Sequence, residues 1–325
     1  MDERDTTAVA WLLASDEPAV RHLTHRDVLG DDAAAHREQI LAGPKVRRLL
    51  SGQCADGSFG VPPYSKWTGA HWRLVSLVEL AVPAGHPQAC GAASTVLDWL
   101  AGDAHRSQVP VVGGLPRMHA SMEGNALAVA SRLGMAGDPR ARVLAGALVA
   151  GQWPDGGWNC DLRSAGERSS FHESLAPMWG LHEYATATGD AAAAAAARRT
   201  AELLLSHRLY RSLRTGEPIH RSWTALHHPP YWHYDILHAL LVLGRMGLAG
   251  EPRASDALDV LQRRRLRDGR WRTGGAWWKA PGTARTGTDV VDWGRGGPNE
   301  MITLNALRCL RAAGRLDAAA DGAGG

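Results

Sequence analysis

The stretch Gln152-Trp153-Pro154-Asp155-Gly156-Gly157-Trp158 decides the fold, because its second half has two counterparts elsewhere in the chain. Asp56-Gly57-Ser58-Phe59 and Asp268-Gly269-Arg270-Trp271 also read Asp-Gly-x-aromatic, and the three Asp residues are 99 and 113 residues apart. Asp-Gly is a turn pair that can end a helix, and the aromatic side chain after it can be buried beside the turn. Recurrence at such long spacing predicts a repeat architecture.

Helix-periodic apolar stretches of two styles alternate along the rest of the chain. One style is rich in Ala, Leu and Arg and has a polar face: 8–14, 34–50, 89–100, 139–150, 191–207 and 255–266. The other begins with polar or aromatic residues and ends in a small residue: 18–30, 66–83, 118–134, 170–189, 231–247 and 299–314. Six antiparallel helix pairs predict an all-α protein, a closed α6/α6 toroid with the second style inside. We expect one toroid domain, 1–316, and a flexible tail, 317–325.

Composition and charge narrow the class of protein. Apolar residues make up 45% of the 325 residues and charged residues 21%, as in an ordinary globular protein. A net charge of +3 gives no indication of a nucleic-acid partner. An acidic, polar start and the lack of about 18 uninterrupted apolar residues predict neither a signal peptide nor a transmembrane segment. Four scattered Cys residues are typical of cytosolic thiols, so we expect a cytoplasmic protein. The sequence does not determine the oligomeric state, and a homo-oligomer is possible.

Residues 152–158 resemble the glutamine–tryptophan repeat of squalene–hopene cyclases, whose superfamily includes the protein prenyltransferase β subunits. The resemblance implies an α6/α6 toroid with a central cavity for isoprenoid-like, hydrophobic small molecules. The chain lacks the Asp-x-Asp-Asp motif with which those cyclases protonate their substrate, and it lacks an Asp-Asp-x-x-Asp motif. Proton-initiated polyene cyclisation is therefore disfavoured, and a terpene cyclase-like or prenyltransferase-like enzyme that builds its site inside one toroid is the leading hypothesis.

A thiol and two imidazoles suggest a metal site. Cys160 follows the anchoring Trp158 closely, while His172 and His233 open two successive inner helices. Thiolate and imidazole suit tetrahedral zinc with an open fourth position, so zinc is the predicted cofactor and Cys160, His172 and His233 its predicted ligands. Prenyltransferase β subunits bind zinc through a similar Asp, Cys and His set, although Asp161 here follows the Cys directly. The alternative is a metal-free Cys160 nucleophile with His172 as its base.

Alignment of the inner stretches by their Leu pattern places His71, His119, His172, His233 and Glu300 in one layer, and we expect all five to face one cavity. Further candidates are assigned by type and position. The predicted catalytic residues are His119, Glu123, Tyr234, Asp235 and Glu300. Because indole faces stabilise cations and stack on flat or apolar ligands, Trp67, Trp179, Trp232 and Trp278 are predicted substrate contacts together with His71.

Two other functions stay open: a non-catalytic toroid that binds a hydrophobic ligand or a protein partner, and a carbohydrate-active α/α barrel.

Overall fold

The computed structural model describes residues 2–31, 34–163 and 166–316, and within these segments the regular secondary structure is almost entirely helical. The strands in the described segments form one short antiparallel hairpin, Val111–Val112 with Leu115–Pro116. The predicted tail, 317–325, lies outside the described residues. The α-helices in chain order are α1 (Glu3–Leu13), α2 (Pro18–Thr24), α3 (Ala34–Gln39), α4 (Pro44–Leu50), α5 (Ala70–Glu79), α6 (Pro87–Ala101), α7 (Asp103–Arg106), α8 (Ala120–Arg132), α9 (Pro139–Gly151), α10 (Phe171–Thr188), α11 (Ala191–Ser206), α12 (Ile236–Arg245), α13 (Ser255–Arg263) and α14 (Glu300–Ala312).

Twelve of these helices form two concentric layers, which confirms the predicted all-α toroid. The inner helices α5, α8, α10, α12 and α14 pack side by side in chain order, and α14 packs on α2. The outer helices are α1, α4, α6, α9, α11 and α13. All of them except α11 contact the inner helix that follows, and α11 contacts α10, the inner helix that precedes it. Because α14 contacts both α1 and α2, the two ends of the described chain meet. All inner helices begin at the same end of the toroid, which we call the mouth.

Several helices begin later or break earlier than the sequence pattern predicts. The stretch 34–50 is interrupted at Gly43-Pro44, because Pro44 has no N–H to continue a helix and instead begins α4. The stretches 66–83 and 231–247 become helical at Ala70 and Ile236. Asp235 sets the second of these starts, because its carboxylate accepts a hydrogen bond from His238 N at 2.9 Å. Trp67, Trp232 and His233 therefore lie on loops at the mouth.

The three Asp-Gly turns share one backbone geometry and one packing role. Gly57, Gly156 and Gly269 have φ angles of 87°, 99° and 83°, and the N–H of each donates a hydrogen bond to the carbonyl oxygen of the residue three positions earlier. A Cβ atom on any of them would lie under 3.0 Å from a backbone oxygen of a neighbouring outer helix: that of Gly91, Arg199 or Arg4. Each turn thus closes against the next outer helix, and the third closes against α1.

The aromatic residue of the second and third turns is a buried anchor, as the sequence predicts. Trp158 and Trp271 are 0% exposed. Trp158 donates from Nε1 to Leu148 O at 3.1 Å, and Trp271 donates to Leu261 O at 2.8 Å. Each indole therefore ties its loop to the preceding outer helix while its ring fills the space between the two layers.

Side chains and two long loops fill the interior of the toroid. The loops before α12 and α14 pack on each other at the mouth, where Gly274 N donates to Leu226 O at 2.7 Å and Trp278 Nε1 to His228 O at 3.1 Å. Beneath them remains a cavity of about 20 Å³, lined partly by Ser76 and His238. Within the described segments, no helix has the length and apolar character that crossing a membrane requires.

Candidate active site

Helices α8 and α10 approach each other more closely than ordinary side chains allow. A Cβ atom on Gly124 of α8 would lie under 3.0 Å from the backbone of Ala176 and Pro177, and one on Gly180 of α10 would lie equally close to Gly124 O. This contact brings the first turn of α10 against the start of α8. Glu173 Oε2 accepts a hydrogen bond there from Ser121 N at 2.9 Å, so the carboxylate caps the neighbouring helix.

The loop between α9 and α10 places Cys160 beside that carboxylate. Trp158 fixes the loop, because its N–H donates to Ser174 Oγ at 3.1 Å and its carbonyl accepts from Ser170 N at 2.8 Å. Asn159 extends the support by donating from Nδ2 to Arg168 O at 2.8 Å. Cys160 is the second residue after the buried indole, so its position follows from the anchor.

Cys160, His119 and Glu173 form one group, which we call the Cys160 cluster. Their ligand-type atoms all lie within 4.8 Å of one another. Cys160 Sγ is 3.6 Å from Glu173 Oε1, and His119 Nδ1 is 3.8 Å from the same oxygen. The His119 side chain is 63% exposed and the Glu173 side chain 8%, so the cluster has one open side.

The charges in the Cys160 cluster support each other. Close polar interactions of the His119 ring with Cys160 and with the Glu173 carboxylate raise the pKa of His119 to about 10. Burial raises the pKa of Glu173, but the interaction with His119 and the hydrogen bond from Ser121 N outweigh it, so that the pKa lies below its usual value. Thiolate, imidazole and carboxylate groups are the ligand types of zinc sites in proteins. A thiol beside an imidazole is also the arrangement of an activated cysteine.

The two predicted zinc ligands other than Cys160 lie in different surroundings. His172 Nδ1 accepts a hydrogen bond from Tyr234 N at 2.8 Å, and the His233 ring stacks between Trp232 and Trp277 with centroids 3.9 Å from each. Within the described residues, the set of Cys160, His172 and His233 does not converge as the Cys160 cluster does. The physical reason is helical rotation, since residues 172 and 173 point about 100° apart around α10.

An aromatic wall lies at the mouth beside the start of α10, where the rings of Trp232 and His172 are 5.7 Å apart. It consists of Tyr64, Trp232, His233 and Trp277, with the Lys66 ammonium 5.9 Å from the Tyr64 ring and 5.0 Å from the Trp232 ring. Burial raises the pKa of Tyr64, and so do the negative charges of Glu173, Cys160 and Glu123, which places Tyr64 within electrostatic range of the cluster.

A groove of about 1420 Å³ lies beside the start of α10. Its wall combines apolar and polar residues, including Ser170, Phe171, His172, Leu203, Ile219 and Trp223. His172 thus belongs both to this groove and to the side of the mouth where His233 stacks, since the two histidine rings are 6.2 Å apart.

Most of the predicted substrate contacts are buried inside the protein. Trp67, Trp179 and Trp278 are 4%, 0% and 1% exposed, and their Nε1 atoms donate to Trp277 O, Glu183 Oε1 and His228 O. His71 is 1% exposed and packs on Tyr64 and Trp72. Trp232 is half-buried on the aromatic wall, so it is the member of this set that is placed to touch a ligand.

The predicted catalytic residues separate into three surroundings. His119 belongs to the Cys160 cluster, and Glu123 lies one turn further along α8, where its Oε1 is 2.9 Å from His105 Nε2. Asp235 and Tyr234 are buried at the start of α12. The Asp235 carboxylate holds His227 Nδ1 at 3.0 Å, and the Tyr234 hydroxyl donates to Leu209 O at 2.5 Å.

Glu300 is half-buried and lies 3.6 Å from Lys45 of α4. The five residues that the sequence places in one layer therefore differ in environment. His71 is buried, His119 is exposed, and Glu300 has a cationic partner on the outer helix layer. The inner helices begin at the same end of the toroid, so these five residues lie at similar positions along its axis. The direction of each side chain depends instead on the rotation of its own helix or loop.

Sequence reasoning did not assign Glu173 as a ligand or identify His227 and Tyr64. A signal for Glu173 exists, because residues 173, 176, 177 and 180 recur at helical spacing and include the close-contact glycine of α10. That face is the one that must meet α8, so Glu173 belongs to it and His172 does not. His227 and Tyr64 lie on loops and carry no periodic signal.

No protein-family model and no curated protein sequence matches the chain. Solved structures that are similar to it include the following two. One is a protein from Actinoplanes, 18% identical, with a TM-score of 0.42 over 95% of this chain and 88% of that chain. The other is the apo type II terpene cyclase MstE from Scytonema, 13% identical, with a TM-score of 0.27 over 84% of this chain and 97% of that chain. At these values neither structure supports a functional conclusion for this chain.

Proposed function

We propose that this protein is a zinc-dependent enzyme that acts on a hydrophobic, isoprenoid-like small molecule, with the Cys160 cluster as its reactive centre. The observation that carries the proposal is the convergence of Cys160, His119 and Glu173 within 4.8 Å, beside an exposed opening. Three protein ligands leave the fourth tetrahedral position for a water molecule or a substrate atom, as in catalytic zinc sites.

Charge balance favours a metal at this point. With Cys160 bound as a thiolate and His119 as a neutral imidazole, the three ligands would carry two negative charges in a site where the Glu173 side chain is 8% exposed. A divalent cation neutralises both and satisfies the Glu173 oxygen that faces the thiol. When bound, zinc would act there as a Lewis acid or lower the pKa of a water or thiol ligand. Ser121 N holds the other carboxylate oxygen and so fixes the orientation of Glu173.

The residues around the cluster suit an apolar substrate. Tyr64, Trp232 and Trp277 offer ring surfaces at the mouth. The groove on the other side of the start of α10 has apolar walls formed by Phe171, Leu203 and Ile219, although the cluster residues are not part of its lining. Glu123 is 4% exposed, and among the described residues its Oε2 has no hydrogen-bond partner. A buried, unpaired carboxylate oxygen one turn from His119 is suited to accept a proton from a bound substrate.

A metal-free cysteine enzyme is the second candidate. The geometry favours it, because the His119 ring, whose pKa interactions with Cys160 and Glu173 raise to about 10, lies within 4.8 Å of Cys160 and can take up the thiol proton. In this mechanism Cys160 attacks an electrophilic carbon of the substrate, and His119 returns the proton to the leaving group.

Metal analysis combined with thiol alkylation separates the two candidates. If the zinc proposal is correct, purified protein carries about one equivalent of zinc, and both Cys160→Ser and His119→Ala lose it. Zinc also protects Cys160 from iodoacetamide, and chelation removes this protection. Cys90→Ser is the matched control, because Cys90 is also a half-buried free thiol but is not part of the cluster; this variant keeps its metal.

The opposite pattern supports the cysteine mechanism. Protein that contains no zinc after growth in zinc-supplemented medium, and whose Cys160 is the fastest thiol to react, contradicts the zinc proposal. Protein with neither bound zinc nor a reactive Cys160 contradicts both mechanisms and favours a toroid that binds a ligand without catalysis.

A further inference from the structure

The end of the toroid opposite the mouth gathers arginine side chains from the last turns of the inner helices. A cavity of about 470 Å³ lies there between α8, α12, α14 and the π-helical turn His25–Leu29 that continues α2. Apolar residues such as Leu240 and Ala312 form part of its wall. Its charged lining contains Asp27 and five arginines, which we call the basic pole: Arg26, Arg132, Arg245, Arg308 and Arg311.

Carboxylates pair with only part of this charge. Asp27 accepts from Arg26 at 2.6 Å and lies 2.9 Å from Arg308. Glu79 pairs with Arg245 at 2.7 Å, and Glu183 pairs with Arg132 at 3.1 Å. Among the described residues, the five guanidinium groups thus meet three carboxylates, so the basic pole carries a surplus of two positive charges.

The arginines on the floor of the cavity are buried and incompletely hydrogen-bonded. The side chains of Arg245 and Arg308 are 13% and 10% exposed. Arg245 donates a hydrogen bond from Nη2 to Glu79, but its Nε and Nη1 atoms are buried and have no hydrogen-bond partner in the described part of the chain. A buried charged donor without an acceptor is unfavourable, so a group that supplies acceptor oxygens here would stabilise the folded state.

Helix dipoles account for part of the basic pole. Carbonyl groups at helix C-termini attract cations, and Arg132 Nη2 and Arg311 Nη1 do donate to the carbonyls of Val78 and Val28. These contacts involve single N–H groups on the rim. They leave the cavity open and the Nε and Nη1 donors of Arg245 without a hydrogen-bond partner among the described residues.

We propose that the basic pole binds the phosphate group of a small molecule. A phosphate dianion matches the surplus of two charges, and its oxygens accept from the planar forks of several guanidinium groups at once. The site is separate from the Cys160 cluster. Helix α8 has 13 residues and therefore holds His119 and Arg132 about 20 Å apart. The proposal does not depend on the reaction that the cluster performs.

Calorimetry and thermal unfolding with defined anions test this proposal. The titrants are inorganic phosphate, pyrophosphate and glycerol 3-phosphate, each compared with sodium chloride at the same ionic strength. We expect saturable binding of at least one phosphate compound, with a rise in Tm that chloride does not produce. Comparison of the three compounds distinguishes free phosphate, diphosphate and a phosphate ester.

Two arginine variants provide the matched comparison. Arg26→Gln should weaken phosphate binding by about tenfold or more, because it removes a charged hydrogen-bond donor from the cavity. Arg253→Gln should bind like the wild-type protein. Arg253 is 40% exposed and Arg26 42% exposed, and both pair with carboxylates, but Arg253 lies on the outer surface by Glu202 and Glu251. Equal shifts with phosphate and chloride, or undiminished binding by a folded Arg26→Gln variant, would overturn the proposal.

Discussion

At the scale of single residues, the direction of a side chain around its helix decides the chemistry of the candidate site. His172 and Glu173 are neighbours on the first turn of α10 and both are typical ligand types. Glu173 faces α8 and meets Cys160 Sγ at 3.6 Å. His172 faces α12 and accepts from Tyr234 N at 2.8 Å. One residue of rotation therefore separates a group that can hold zinc from a group that holds the start of the next inner helix.

This difference gives a paired prediction. Glu173→Gln should reduce the zinc content of the protein and weaken zinc affinity by about 10- to 100-fold, since it removes the anionic oxygen between Cys160 and His119. His172→Asn keeps an acceptor for Tyr234 N and should leave zinc binding unchanged. Metal analysis and competition with a chromogenic chelator measure both. A larger loss in His172→Asn than in Glu173→Gln would favour the ligand set predicted from the sequence.

At the scale of elements, small residues set the distance between α8 and α10, and this distance holds the Cys160 cluster together. Gly124 and Gly180 allow backbone contact where a Cβ atom would lie under 3.0 Å from the opposite helix. The capping contact between Glu173 and Ser121 N depends on the same approach. The interface between α8 and α10 therefore both stabilises the fold and positions the Cys160 cluster.

Gly124→Ala should therefore destabilise the protein by about 1–3 kcal/mol, because the added methyl group forces the two helices apart. Gly146→Ala is the control, since Gly146 lies within the outer helix α9 and a Cβ atom there would meet no atom of another element within 4 Å. That change should stabilise the helix by about 0.4–1 kcal/mol. Urea unfolding measures both free energies, and equal effects of the two changes would contradict the close-contact account.

At the scale of the whole molecule, the toroid encloses ionisable groups that make its stability depend on pH. Burial lowers the pKa of both His71 and His228 to about 3. Unfolded histidine has a pKa of about 6.5, so below that pH the unfolded chain binds these protons while the folded chain does not. Stability is therefore fully present above about pH 6.5 and is lost progressively as the pH falls towards 3.

Each of the two histidines should lower the free energy of unfolding with a slope that rises from about 0.7 kcal/mol per pH unit at pH 6.5 towards about 1.4 kcal/mol per pH unit at lower pH. His71→Phe keeps the size and aromatic contacts of a ring whose nitrogens have no hydrogen-bond partner among the described residues, so it should reduce the acid sensitivity by that amount. Urea unfolding between pH 6.5 and 5 tests the slope above the range in which carboxylates titrate. An unchanged slope in His71→Phe would show that His71 is already protonated in the folded protein.

The sequence by itself determined the fold class, because helix periodicity and the Asp-Gly-x-aromatic turns are local properties of the chain. The stretches 139–150 and 170–189 differ from α9 and α10 by only one residue at their ends. Local signals also gave Cys160 its place after an anchored indole. Residues whose structure depends on loops, such as Trp232 and His233, were assigned to helices because the pattern could not show where Asp235 begins α12.

Only the tertiary structure decided which side chains meet. Cys160, His119 and Glu173 come from a loop and two helices, and their convergence depends on the close packing of α8 and α10. The basic pole joins arginines from Arg26 to Arg311, which no spacing along the chain connects. The physical reason is that periodicity specifies which face of a helix is buried, whereas the rotation and separation of packed helices specify what that face contacts.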